Sequence, residues 1–330
     1  MLLISPALIL FFFTLMTGTL ISVSSSSWFL AWLGLELNLL SFIPLITSQK
    51  SPFSSEAALK YFLVQAFGSA TLLASVTALM LFHLPSKILI FSSLILKMGA
   101  APLHFWLPTI MQGMSWLNCL ILMTLQKIAP LVLISLTLSD NTGLLFISIS
   151  VISAIMSGLG GLNQTFLRKL MAYSSINHSA WMLAAITSSA TLWIHYILTY
   201  TIISASLVTI FYQNQIFHIK HLTNLLTSPF NKVTLFMTLF SLGGLPPFLG
   251  FLPKMSVIAT LTHNGFLTWA LILTMSALIT LFYYIRIAIT SLTLKSPKPT
   301  QNINMTNQTP NWVTLINLLL LLPLTVFIPL

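Results

Sequence analysis

Acidic residues are almost missing from this chain: Glu36, Glu56 and Asp140 are the 3 acids in 330 residues, against 13 lysines and arginines. Charged residues make up 5% of it, where a soluble domain carries roughly a quarter. So little charge leaves no polar surface to face water, which excludes an ordinary soluble globule and a disordered region. The few acids also exclude a carboxylate cage for Ca²⁺ or Mg²⁺. One cysteine, Cys119, excludes a disulfide framework, a cysteine-based zinc site and a Cys-ligated iron–sulfur cluster. No glycine-rich phosphate-binding loop follows a strand, so nucleotide chemistry has no seat here. The net charge of +10 comes from the scarcity of acids, with no Lys/Arg-rich patch, so nucleic acid is not an expected partner.

What is present is apolar: 57% of the residues are hydrophobic and the mean hydropathy is +0.98. The composition is that of a polytopic membrane protein. The first residues, MLLISPALILFFFTLMTGTL, carry no basic leader, Arg/Ser-rich transit stretch or small-residue cleavage pattern. The expectation is that the first span directs insertion or that the chain is made beside its membrane.

A helix crossing about 30 Å of hydrocarbon needs about 20 mostly apolar residues. The apolar runs predict eleven spans, near 2–22, 26–46, 60–82, 88–108, 116–138, 143–162, 170–188, 190–216, 233–263, 266–290 and 312–329. Period-2 alternation is absent, which disfavours a membrane barrel. With eleven spans, Lys50, Lys60, Arg168, Lys169, Lys220, Lys232, Lys295 and Lys298 fall on the side of the N-terminus, and Lys87 falls opposite. Cations collect on the inner side of a membrane, so the N-terminus is expected inside and the C-terminus outside. Trp28, Trp193 and Trp269 at outer ends, with Trp106, Trp116 and Trp312 at inner ends, fit an aromatic belt as well as they fit bulky filler.

Two segments repeat: LKMGAAPLHFWLP (96–108) and LGGLPPFLGFLPK (242–254). Aligning Gly99 with Gly243 brings Ala100 onto Gly244 and Pro102 onto Pro246. Proline removes an N–H and glycine adds freedom, so helix breaks are expected at Gly99, Pro102, Gly243, Gly244, Pro246 and Pro247. A break at membrane depth marks a polar cavity when protein or water surrounds it, and otherwise only a kink. The two segments lie five spans apart and so run in opposite directions, the pattern of inverted repeats. The expected fold is therefore all-α and forms a single membrane domain, 1–330. It would comprise two inverted five-helix repeats with broken helices, 1–138 and 139–290, then a polar loop and C-terminal helix, 291–330.

Inside the predicted spans the ionisable residues lie deep: Glu36, Lys97, Lys127 and Lys254, with His178 mid-span. A central charge costs about 2.5–3.5 kcal/mol to insert. Snorkelling covers end residues such as Arg286 and Lys60 but not Lys97 or Lys127. A structural ion pair is the plainer account of a mid-span lysine, and a hydrogen-bonded neutral histidine that of His178. Three buried lysines share one buried acid, however, so at most one can be neutralised directly within the chain. Removal from water disfavours the charged form of an amine, whereas a carboxylate about 4 Å away favours it by about 4 kcal/mol at an effective dielectric of about 20. A changeable contact with Glu36 would thus move a lysine between holding and releasing its proton. His218 and His221, three apart around Lys220, read as a solvated loop rather than a metal site.

The segments LGLELNLLSFIPL (33–45), LKMGAAPLHFWLP (96–108), LQKIAPL (125–131), LRKLMAYSSINHSAWM (167–182) and SLGGLPPFLGFLPK (241–254) closely resemble the subunit 2 family of mitochondrial NADH–ubiquinone oxidoreductase, respiratory complex I. These are antiporter-like membrane subunits, and the resemblance covers about residues 1–290. It implies that Glu36 and Lys97 form an interacting acid–lysine pair, that Lys127 is a central channel lysine and that Lys254 belongs to an exit half-channel. His104 and His178 match candidate proton-relay positions.

The function expected from the resemblance is proton translocation coupled to electron transfer from NADH to ubiquinone, with no cofactor in this chain. FMN, iron–sulfur clusters and ubiquinone would belong to other subunits. Subunits 4L and 4 are the implied neighbours, with membrane lipid including cardiolipin. The implied location is the mitochondrial inner membrane, N-terminus in the matrix and C-terminus in the intermembrane space. A free-standing cation/proton antiporter, or a non-conducting structural spacer, is the alternative.

Overall fold

The computed structural model describes residues 6–48, 51–82, 86–138, 140–222, 229–246 and 248–293. Lys50, Pro247, Lys295, Lys298, Trp312 and the expected eleventh span lie outside the described residues. The described residues form helices joined by turns and short loops, with one isolated antiparallel bridge, Phe166–His218. Seven stretches are long and apolar enough to cross a membrane: Pro6–Ser24, Trp28–Thr47, Pro52–Leu79, Trp116–Leu136, Thr142–Leu162, Leu192–Gln213 and Leu267–Thr290. Their outward faces carry large apolar side chains such as Phe13, Leu63, Leu144 and Phe282. Patches of that size are tolerated in lipid rather than in water; the chain is an integral membrane protein.

The chain divides into two compact units, Met1–Ser153 and Ala154–Leu330. The first unit holds α1 (Pro6–Ser24), α2 (Trp28–Thr47), α3 (Pro52–Phe82), α4 (Ser86–Met98), α5 (Trp106–Gly113), α6 (Trp116–Met123) and α7 (Leu125–Leu136). There α2 packs on α1 and α3, α3 on α4 and α5, and α7 on α1, α4 and α6. Helices α1 and α2 approach closely. A Cβ on Gly18 would stand 2.6 Å from Asn38 Oδ1, and one on Gly34 would stand 2.8 Å from Gly18 O. Small residues let helix backbones meet where lipid offers no hydrophobic drive.

Helix α8 (Asp140–Leu162) crosses the boundary between the units. The second unit continues with α9 (Leu167–Ser188), α10 (Leu192–Gln213), α11 (Pro229–Gly243), α12 (Phe251–His263) and α13 (Leu267–Thr293). Its centre is α9, buried from Leu167 to Ile186 with few gaps and packed against α10, α12 and α13. Its Ser, Asn and His content keeps α9 out of the apolar set, because protein rather than lipid surrounds it. Hydroxyls throughout bond back to the preceding turn, as Ser41 does to Asn38 O (3.1 Å) and Thr280 to Ala277 O (2.8 Å). That is how a serine- and threonine-rich chain satisfies its polar groups in hydrocarbon.

Two expectations need correction. Trp116, Trp193 and Trp269 are buried, so they pack inside the protein instead of forming a belt against lipid. Arg286 does not snorkel: its guanidinium donates to Leu162 O at 2.6 Å and Gln164 O at 3.0 Å, closing the carbonyl end of α8. A cation there is favoured by the helix dipole.

Candidate functional site

In the first unit, helix α4 stops in a left-handed glycine cap. Gly99 has φ +76°, and its N–H reaches Ile95 O at 2.9 Å and Leu96 O at 3.1 Å, while Ala100 N–H reaches Ile95 O at 3.2 Å. Other last-turn carbonyls need partners. Trp106 Nε1–H donates to Leu96 O (3.1 Å) and Gln65 Nε2–H to Lys97 O (3.3 Å). Lys97 therefore stands in the final turn of a helix that ends inside the apolar stretch.

Lys127 stands at a second interruption. Between α6 and α7, Thr124 leaves helical geometry (φ −114°, ψ −77°), and Pro130 inside α7 has no N–H for the turn before it. Lys97 and Lys127, 6% and 2% exposed, share the wall of a cavity of about 20 Å³ with Asn38, Tyr61, Gln65 and Gln126. One water needs roughly 10–15 Å³. The cavity is thus large enough to hold water between two lysines. Asn38 Oδ1 and Gln126 Nε2 on that wall, and Glu36 Oε2, are buried without a hydrogen-bond partner in the protein. Orphaned polar atoms are least costly beside a wet cavity.

No ion pair within 4.0 Å joins Glu36 to Lys97; among the described residues, the ion pair is the exposed Lys60–Glu56 contact at 2.5 Å. His104, also buried, has Nδ1 3.2 Å from Pro102 O and its ring against Phe105.

In the second unit the same cap recurs. Gly244 has φ +76°, its N–H reaches Phe240 O at 3.0 Å and Ser241 O at 3.1 Å, and Leu245 N–H reaches Phe240 O at 3.3 Å. This corrects the repeat register: Gly99 corresponds to Gly244, not Gly243. The single offset then carries Leu107 and Pro108 onto Leu252 and Pro253 without an insertion, and the turn Leu107 N–H to His104 O onto Leu252 N–H to Leu249 O. Only the residue in the left-handed region must be glycine, and it is the second of the pair.

The repeated break is capped differently. Where neutral donors close α4, the Lys254 ammonium closes α11, donating to Gly243 O at 2.8 Å and Leu242 O at 3.2 Å. It also lies 5.9 Å from the Trp181 ring centre. His178 bonds Tyr196 OH through Nδ1 at 2.9 Å and lies against the Tyr200 ring. Asn177 Nδ2–H donates to Thr280 Oγ1 at 3.3 Å, and Tyr283 and Tyr284 are buried nearby on α13.

Tyr61, Gln65 and Gln126 in the first unit, and Tyr196, Tyr200 and Asn177 in the second, escape a search confined to charge. Tyr196 and Tyr200 are four apart, hence on one helical face; that spacing was the available signal. Gln65 in the third span and Gln126 in the fifth gave no direction, since periodicity cannot orient a helix apolar all round. No group of three or more His, Cys, Asp or Glu side chains gathers among the described residues.

A family model for the membrane part of NADH:quinone oxidoreductase and Mrp antiporters matches residues 25–88 and 83–280. The chain is 49% identical over 290 residues to NADH-ubiquinone oxidoreductase chain 2 of Anopheles gambiae, covering 84% of each. It is 41% identical over 298 residues to the protein of that name from Pongo abelii, covering 85% of this chain and 84% of the other. Among solved structures, a chain of respiratory complex I from Thermus thermophilus superposes with a TM-score of 0.83 at 24% identity, over 96% of this chain and 77% of that one. A chain of the Mrp complex from Dietzia sp. DQ12-45-1b gives 0.75 at 19%, over 87% and 61%. These two likenesses bear on the fold. Sequence identity of this extent, over most of both chains, makes the polypeptide a member of the NADH-ubiquinone oxidoreductase chain 2 family, within the NADH:quinone oxidoreductase and Mrp antiporter membrane subunits.

Proposed function

We propose that this chain is a membrane-arm subunit of NADH:ubiquinone oxidoreductase and moves protons when NADH is oxidised by quinone. The observation that carries the reading is the cavity shared by Lys97 and Lys127. Two amines that share a water-sized space can exchange a proton through it. Changing the distance between Glu36 and Lys97 would alter which form of Lys97 is favoured, and Lys127 would follow. Lys254 would pass the charge onward, with His104 and His178 as relays. Moving one charge against about 100 mV costs about 2.3 kcal/mol, less than the value of one carboxylate–ammonium contact at moderate dielectric.

In this reading flavin, iron–sulfur and quinone chemistry belongs to other subunits, since one cysteine cannot ligate a cluster. Eleven spans in two inverted repeats, 1–138 and 139–290, and a final helix in 291–330 fit the divided charge and the repeated glycine caps. The location would be the mitochondrial inner membrane, N-terminus in the matrix and C-terminus in the intermembrane space. Subunits 4L and 4 would be the neighbours, and cardiolipin would be among the surrounding lipids.

Lys127→Ala tests the proposal. In purified complex reconstituted into vesicles, electron transfer should assemble and persist while the proton-to-electron ratio falls. An unchanged ratio would remove Lys127 from the path.

A further inference from the structure

His178 and Tyr196 are tied across two helices of the second unit. His178 lies midway along α9 and is 6% exposed; Tyr196 lies on α10 and is 1% exposed. The two helices pack against each other. Nδ1 of His178 and the Tyr196 hydroxyl are 2.9 Å apart. This hydrogen bond joins two groups that can each donate and accept. His178 also lies one turn from Trp181, whose ring the Lys254 ammonium approaches at 5.9 Å, so the pair and that buried amine share one region of the unit.

The imidazole is held in one orientation. The Tyr200 ring lies against it, with ring centres 4.7 Å and planes 38° apart. Tyr196 and Tyr200 are four residues apart, so one face of α10 carries both. Turning the imidazole over to exchange its nitrogens would break the Nδ1 bond and disturb the Tyr200 contact. Nδ1 therefore stays with Tyr196. The Tyr200 hydroxyl, buried on that same face, has no hydrogen-bond partner in the protein. It is an open acceptor beside the pair.

An imidazole relays a proton by taking one at one nitrogen and releasing another from the other. Each passage through His178 thus uses Nδ1 once, as entrance or as exit. At Nδ1 stands the Tyr196 hydroxyl. A carbonyl there, which only accepts, would end the path; a hydroxyl continues it. In the inward direction the Tyr196 oxygen binds an arriving proton as its own O–H bond breaks and an Nδ1–H bond forms. Nε2 then releases its proton to the next acceptor. Protons and charge balance at each step, and Tyr196 never ionises. The outward direction runs through the same bonds in reverse.

We infer that the Tyr196 hydroxyl is a proton carrier, the group through which His178 exchanges protons at Nδ1. The inference rests on His178 acting as a relay, and it adds to the path a residue that bears no charge of its own.

The test uses the whole complex reconstituted into vesicles. Tyr196→Phe removes one oxygen and keeps the ring, whereas His178→Gln removes the relay itself. Both variants should sustain electron transfer from NADH to quinone, with a Tm near the parent, while the proton-to-electron ratio falls to the same lower value. The double variant should fall no further, because the two groups serve one route. A parent ratio in Tyr196→Phe beside a lowered one in His178→Gln would mark a bond that only steadies the ring, and would overturn the carrier. Losses that add in the double variant would overturn it too. A parent ratio in His178→Gln would overturn the relay reading, and the carrier with it.

Discussion

The Lys254 ammonium has three N–H donors and spends two of them on Gly243 O and Leu242 O. It is therefore a structural cap as well as a candidate proton carrier, and the two roles separate by substitution. Lys254→Met leaves those carbonyls unpartnered, at about 1–3 kcal/mol each. Lys254→Gln keeps a donor. The expected result is a lower Tm of the purified complex for Met, a Tm near the parent for Gln, and a reduced proton-to-electron ratio for both. An unaltered ratio in the Gln variant would leave the cap as the whole role. His218 is a different case, in the loop after α10. Burial, then the neighbouring charges of His221 and Lys220, hold it below the ordinary histidine value. Arg168 and Lys169 on the facing turn have the same sign. The unfolded chain then binds more protons than the folded one, so stability rises with pH across this window. The contribution is present above about pH 6.5 and lost as pH falls below it. Exchange in 214–222, corrected for intrinsic rates, should accelerate between pH 7.5 and 5.5, and His218→Gln should flatten that dependence. At this scale the lysines were legible, because a mid-span charge stands out against apolar sequence. Tyr61, Gln65 and Gln126 were not, because a neutral polar side chain gains its meaning from what faces it.

Among the elements, the two broken helices repeat a backbone rather than a set of side chains. Gly99 and Gly244 share φ +76° and equivalent hydrogen bonds, whereas the cap is tryptophan and glutamine in one and lysine in the other. The neighbouring Gly243 provides a control. A Cβ there would meet nothing closer than Leu281 at 3.6 Å, but at Gly244 it would stand 2.7 Å from Lys254 Cδ. Gly244→Ala also forces a side chain into the left-handed region, at about 1–2 kcal/mol. Thermal unfolding of the complex should therefore show Gly243→Ala close to the parent and Gly244→Ala clearly destabilised. The reverse order would return the break to the register read from sequence. Gly-Gly-x-Pro-Pro announces a break, but two adjacent glycines look alike until hydrogen bonds say which one turns. The interruption at Thr124 left no such mark, since Thr is common in helices and bonds back to Leu120 O at 2.7 Å.

At the scale of the whole molecule, a chain with so little charge must meet lipid or other subunits over most of its surface. Mild solubilisation should recover it with flavin-containing, NADH-oxidising activity, as sedimentation and activity staining would show. Recovery as a lone carrier would favour the antiporter reading instead. Composition by itself determined the solvent of this protein: 57% hydrophobic and 5% charged residues leave only a membrane. Runs of about 20 apolar residues then required helices, since no other open structure satisfies its own backbone in hydrocarbon. The rarity of buried charge pointed to Glu36, Lys97, Lys127 and Lys254, because each costs too much to be incidental. Only the tertiary structure decided which of them meet. Lys97 and Lys127, thirty positions apart on different helices, share one small cavity, while Lys254 is bound to the carbonyl end of a broken helix. Hydropathy is a property of each residue and survives in the one-dimensional string. Proximity and facing depend on how apolar helices rotate against one another, and helices apolar on every side carry no sequence record of that rotation.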